Sequence, residues 1–202
     1  MIGIISLFVS SVGAGGFELY VNVSDKERKL ITLDPHKVML YIDVHKSYPC
    51  PYYSDRAVLY VPETNRLAQM LRSFGSKIIF NTDKLRSPTV TKEELPDYPI
   101  HLDETSPGVS SKCLYDGFNK NPAPDDKSIH PEILYSNTSD LFAKDYKDAV
   151  RLAIDNGATH VIATGVHCNM WVPPMFELLK QHGIQPIYVY DISDVMYLRE
   201  TQ

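Results

Sequence analysis

The sequence predicts an α/β fold with three layers, α/β/α, around a central parallel sheet. Two observations carry this expectation. Four short apolar runs, 38–44 (VMLYIDV), 77–83 (KIIFNTD), 160–166 (HVIATGV) and 186–192 (PIYVYDI), are continuous rather than alternating, as strands covered on both faces are. Helical spacing recurs between them, and strand, helix, strand in repetition implies right-handed crossovers with helices on both faces of the sheet.

Residues 2–12 form an apolar run that ends in the small residues 13–16. The run fits a signal peptide, a first strand or an anchor; the absence of Lys or Arg ahead of it argues against a signal, and it is too short to span a bilayer as a helix. The expected organisation is therefore an apolar N-terminal segment, 1–16, and a single domain, 17–202. After the first buried strand, Leu67, Met70, Leu71 and Phe74 share one face of a helix over 62–74, which Gly75 stops. Asp140 is the expected cap of a second helix carrying Phe142, Tyr146, Ala149, Val150, Ala153 and Ile154, ended by Asn156-Gly157. In a third helix Pro173 and Pro174 suit the first turn, where their missing N–H groups have no partner anyway, and Gly183 closes it. Segment 84–131 holds Pro88, Pro96, Pro99, Pro107, Pro122, Pro124 and Pro131, half of the chain's 14 prolines. It reads as a long irregular excursion, either a lid or interface or a passively packed insertion.

With 20 basic against 25 acidic residues and a net charge of -5, nothing draws the chain to nucleic acid or to an anionic membrane. Cys50, Cys113 and Cys168 are too few and too odd a set for a disulfide framework, which favours a reducing, intracellular compartment. There is no CxxC pair or HExxH helix and the histidines are scattered, so neither a metal nor another cofactor is expected.

Ligands of open parallel sheets gather at the carboxyl ends of the strands. That rule singles out Asp43, Asp83, Asp191 and the turn 165–171 (GVHCNMW). An aspartate closing an apolar strand serves equally as a general base, a helix cap or a turn former.

The segments YIDVHKSYPC, GVHCNMWV and DISDVMY, in this order, resemble a subgroup of the isochorismatase-like cysteine hydrolase superfamily with an Asp-containing first strand and a GVHTNMCV turn. The strand FELYVNV and the LDPHK approach to the first buried run look similar as well. The resemblance implies an isochorismatase-like fold and an Asp-Lys-Cys site, in which a thiol at a helix N-terminus attacks an electrophile while the aspartate shuttles the proton. Asp43 takes the aspartate position. The cysteine falls on Trp171, whose indole donates a hydrogen bond and forms no covalent intermediate. Cys168, three residues earlier, is then a displaced nucleophile or an incidental thiol. The family lysine is expected on a strand near 133–137, where this chain has none; Lys127 and Lys144 flank the segment. Some members hold a metal through Asp and His beside the second strand, but here Asp83-Lys84-Leu85-Arg86 lacks histidine. The resemblance also implies a cis peptide at Val166-His167, and a C-terminally shortened chain that leaves part of a sheet edge or face uncovered.

Three functions fit. The first is a pseudoenzyme, an inactive hydrolase fold kept as a structural or binding subunit of a homo- or hetero-oligomer. The second is an active hydrolase of a C–N or ester/ether-type bond, using Asp43 with Cys168 or water. The third is a small-molecule binding module in which Trp171 with Tyr48, Tyr52 or Tyr53 forms an aromatic floor, His167 and Asn169 lining the turn. Trp171 itself is expected to fill the space the cysteine site would occupy.

Overall fold

The computed structural model describes residues 3–4, 10–12, 16–22, 27–48, 51–97, 126–166 and 168–193. Their strands are β1 (Gly3–Ile4), β2 (Ser10–Val12), β3 (Gly16–Asn22), β4 (Arg28–Leu33), β5 (Val38–Asp43), β6 (His45–Ser47), β7 (Lys77–Asn81), β8 (Asp126–Ile129), β9 (Leu141–Ala143), β10 (His160–Gly165) and β11 (Gln185–Val189). The helices are α1 (Pro51–Phe74), α2 (Tyr146–Asp155) and α3 (Cys168–Gln181), with a single 3-10 turn, Pro35–Lys37, leading into β5.

Five strands in the order β11-β10-β5-β7-β9 run parallel and form the centre of the larger sheet. Beyond β11 the sheet continues with β1, also parallel, and then turns antiparallel through β3, which pairs β1, β2 and β4. The edge or face expected to be uncovered is therefore not at β11. The four continuous apolar runs became β5, β7, β10 and β11, each one or more residues shorter at its C-terminal end than its run.

Alternation along β5 shows why both faces are apolar. Val38, Leu40 and Ile42 pack with Ala57, Val61, Leu67, Ala68 and Leu71 of α1, whereas Met39 and Tyr41 pack with residues of α2 and α3. Successive side chains of a strand point to opposite faces, so each parity supplies one of the two cores and the three-layer α/β/α architecture follows. Phe17 of β3 reaches the first core and stacks on Phe74 at 5.5 Å.

Three helix starts differ from the sequence expectation. Helix α1 begins at Pro51, and Pro62 lies inside it. The cap of α2 is Asp145, whose carboxylate accepts the Asp148 N–H, not Asp140. Asp140 instead accepts two bonds from Arg72, at 3.0 and 2.6 Å, and one from the Ser136 amide at 2.7 Å, so its capping capacity is spent in anchoring α1 to the approach to β9. Helix α3 begins at Cys168, which moves Pro173 and Pro174 from the first turn into the helix interior. Their missing N–H groups leave the carbonyls four residues back without intrahelical partners.

The first part of the Pro-rich segment is fastened along α2. Arg86 meets Asp148 at 3.2 Å, and Asp155 accepts from the Val90 amide at 2.7 Å and from the Thr91 amide and hydroxyl. The Glu93 carbonyl accepts from Arg151, Asp97 pairs with Lys147, and Leu95 is buried in the second core. Its last described part holds β8, which pairs with β6 in a separate two-stranded sheet. No described helix is long and apolar enough to cross a membrane.

Candidate active site at the carboxyl ends of the strands

Asp43 is the last residue of the central strand and is 6% exposed. Its register partner is Gly165 of β10. Gly165 has φ +146°, and a Cβ at that position would drive into the Asp43 backbone, so only glycine lets the two strand ends lie this close. The Val166 amide then donates to the Asp43 carbonyl at 2.9 Å, coupling the turn to the end of β5.

Two residues beyond Asp43 the chain is still extended, and His45 falls on the same side. Its Nε2 lies 3.1 Å from Asp43 Oδ1, and both side chains are buried. Tyr48 braces the pair: its hydroxyl accepts the His45 N–H at 2.8 Å, and its ring stacks on the imidazole at 5.4 Å and 22°. The Tyr48 amide donates in turn to Ser54 Oγ of α1 at 2.9 Å. Tyr48, a candidate from the sequence, thus belongs to the site. His45 was missed, although the Asp-x-His spacing in an extended segment was the signal that could have revealed it.

Trp171 lies in the first turn of α3, 8% exposed. Its Nε1–H donates to the Val166 carbonyl at 2.8 Å, and its ring meets Tyr41 edge-on at 5.0 Å and 72°. Tyr41 is fully buried, and burial pushes its phenol well above the usual range, with the negative charge of Asp43 adding to the effect. Cys168 is the first residue of α3, three residues before Trp171 and hence on the same helix face. Cys168 thus opens the helix rather than lying in a turn ahead of it. Its thiol is 1% exposed and donates to the Gly165 carbonyl at 2.8 Å.

The other sequence candidates do not gather here. Asp83 and Asp191 lie two residues past the ends of β7 and β11, both exposed, and Asp83 pairs with Lys84 at 3.5 Å. Residues 133–137 form no strand: 133 is a bend, 134–136 are irregular and a turn begins at 137. Lys144 follows β9 directly, with its amine 3.8 Å from Asp145, and Lys127 sits in β8. His167, with the cis peptide expected at Val166-His167, lies outside the described residues, as do Cys50 and Cys113 and the side chains of Asn169, Tyr52 and Tyr53. Among the described residues no three His, Cys, Asp or Glu side chains cluster to hold a metal ion.

No family model and no curated protein matches the chain. Solved structures with a similar arrangement include an isochorismatase family protein from Burkholderia thailandensis, with 14% identity over 80% of this chain and 80% of that one and a TM-score of 0.49. A cysteine hydrolase from Pseudomonas syringae shares 15% over 81% and 75%, at 0.48. The N-carbamoylsarcosine amidase of Thermoplasma acidophilum shares 13% over 81% and 85%, at 0.46. Likeness at this level transfers no residue role.

Proposed function

We propose that the chain keeps an isochorismatase-like hydrolase scaffold without its cysteine chemistry and serves as a binding or structural subunit of a larger assembly. The observation that carries this reading is Trp171, which stands where the resemblance places the nucleophile. Its indole is bonded to the Val166 carbonyl and packed on Tyr41. A side chain held in this way fills space and has no nucleophilic atom to offer. Against Cys168 as a replacement stand its burial and its proton directed at Gly165; although it opens α3, a reactive thiol also needs exposure.

Alkylation of Cys168 by iodoacetamide near neutral pH, followed by peptide mass spectrometry, tests the reading. Labelling is expected to be slow, to accelerate only when urea opens the protein, and to be indifferent to Asp43→Asn. Rapid labelling of the native protein that slows in Asp43→Asn would overturn it. A second reading, an active hydrolase of an ester or C–N bond that uses Asp43 and water, is favoured by one observation. Asp43 remains buried at the end of the central strand, where a carboxylate is costly to keep unless something uses or compensates it.

A further inference from the structure

We propose that the outer face of α1 is a homodimer surface, on which a second copy of this chain docks its own α1 antiparallel; this rests on the reading of the chain as a subunit of a larger assembly and names its partner. Helix α1 has two different faces. Ala57, Val61, Leu67, Ala68 and Leu71 pack into the first core. Asp55, Leu59, Pro62 and Arg66 follow one another at spacings of 4, 3 and 4, the period of a seam between two helices. At about 100° per residue they fall on the side of the helix opposite the core residues, and all four are exposed. Leu59 is 70% exposed and the adjoining Val58 42%. Single apolar residues at a surface are ordinary, but Val58, Leu59 and Pro62 make one continuous patch at the middle of the seam. Pro62 adds weight to this. Inside a helix it removes an N–H and crowds the preceding turn, and because it is exposed, core packing gives no reason to keep it there.

The two ends of the seam select the occupant and its direction. Asp55 lies one turn before Leu59 and Arg66 one turn after Pro62, so the apolar centre is bracketed by opposite charges. The Arg66 side chain is 79% exposed and meets Glu63 at 2.7 Å; a guanidinium has five N–H donors, which leaves some for a second carboxylate. When two α1 helices pack antiparallel about a twofold axis, Leu59 of each copy meets Pro62 of the other, and Asp55 meets Arg66 at both ends. A parallel pair would set Asp55 against Asp55 and Arg66 against Arg66. The surface is therefore complementary to itself in one direction only, which is what a closed twofold interface requires. From Asp55 to Arg66 the seam runs about 17 Å, which places it at the small end of specific interfaces and implies a dissociation constant in the tens of micromolar.

Sedimentation velocity on the full chain between about 1 and 200 µM, with urea midpoints measured beside it, tests this. Wild type is expected to pass from monomer to dimer across that range, and Leu59→Asp to stay monomeric with an unchanged midpoint. Asp55→Arg and Arg66→Asp each set like charges against one another at both ends of the pair, and each should raise Kd by at least about tenfold. Mixed in equal amounts, the two variants regain opposite charges at both ends and should form a heterodimer with a Kd within about threefold of wild type. Recovery on mixing requires position 55 of one copy to face position 66 of the other, which neither a parallel pair nor a folding defect provides. A wild type that stays monomeric throughout refutes the second copy as the occupant and leaves the face to a different protein. A dimer indifferent to both reversals lies on another surface and also overturns the proposal, while the assembly reading stands. Reversals that weaken the dimer without recovery on mixing refute the antiparallel docking. Conversely, rapid Asp43-dependent labelling of Cys168 in a chain that passes the mixing test would overturn the loss of cysteine chemistry and leave the dimer in place.

Discussion

Replacing Trp171 by Ala and by Phe separates the parts of its role. Trp171→Ala empties a core position bounded by Tyr41 and the β10 turn; losses for buried Trp→Ala run to about 3–5 kcal/mol. For a chain of this length each kcal/mol shifts the melting temperature by about 2–4 °C, so a fall on the order of 10 °C is expected. Trp171→Phe keeps most of the ring contact with Tyr41 but removes the 2.8 Å bond to the Val166 carbonyl. The exposed penalty is that of an unsatisfied buried acceptor, about 1–3 kcal/mol. Urea denaturation followed by far-UV circular dichroism measures both, with the m-value checking that the denatured state is unchanged. If Trp171→Ala costs less than about 1 kcal/mol, the indole is not packed as described and the argument that it fills the nucleophile position fails.

Further expectations follow from other contacts. Arg72→Ala strands Asp140, whose side chain is nearly fully buried, and should cost about 3 kcal/mol in the same assay, because breaking a buried pair leaves an uncompensated charge. Burial holds the His130 and His160 imidazoles below their ordinary value of 6.5, a neighbouring Glu132 partly opposing this at His130. The unfolded chain then binds more protons, so their contribution is complete above 6.5 and is lost as pH falls through the lowered folded values; melting temperatures between pH 7.5 and 5 should fall less steeply in His130→Asn/His160→Gln. For Asp155, burial pushes the carboxyl up, but hydrogen bonds from Thr91 and Val90 outweigh it and the net direction is down. Its contribution is present above the ordinary carboxylate range and lost as acid protonates it, so pepsin at low pH should cut within 84–97 earlier in wild type than at mild acidity, and Asp155→Asn should be cut early at both.

The parallel centre was legible in the sequence because buried strands write themselves as continuous apolar runs, and VMLYIDV, KIIFNTD, HVIATGV and PIYVYDI all do. Strands β6, β8 and β9 were not, since three or four residues such as His45–Ser47 or Asp126–Ile129 carry too little apolar signal to stand out. Helix starts were misplaced where a residue had two possible uses: Asp140 looked like a cap until Arg72 claimed its carboxylate, and Pro62 and Pro173 looked like first-turn residues but sit in interiors. In the site, Asp43 and Trp171 could be read from the turn and strand end. His45 showed only as an Asp-x-His spacing, and what gives that spacing meaning, a chain that stays extended past Asp43 and Tyr48 folding back over the ring, is tertiary.

The close approach at Gly165 has a consequence for drift. If Trp171 marks a site released from covalent chemistry, its identity is set only by volume and one hydrogen bond, and a saturation library should accept several bulky residues there. Gly165 enjoys no such release: any side chain would collide with the backbone of Asp43, so the position should remain intolerant of every substitution. The glycine is thus kept by the architecture of two strand ends, whatever residue the turn beside it carries.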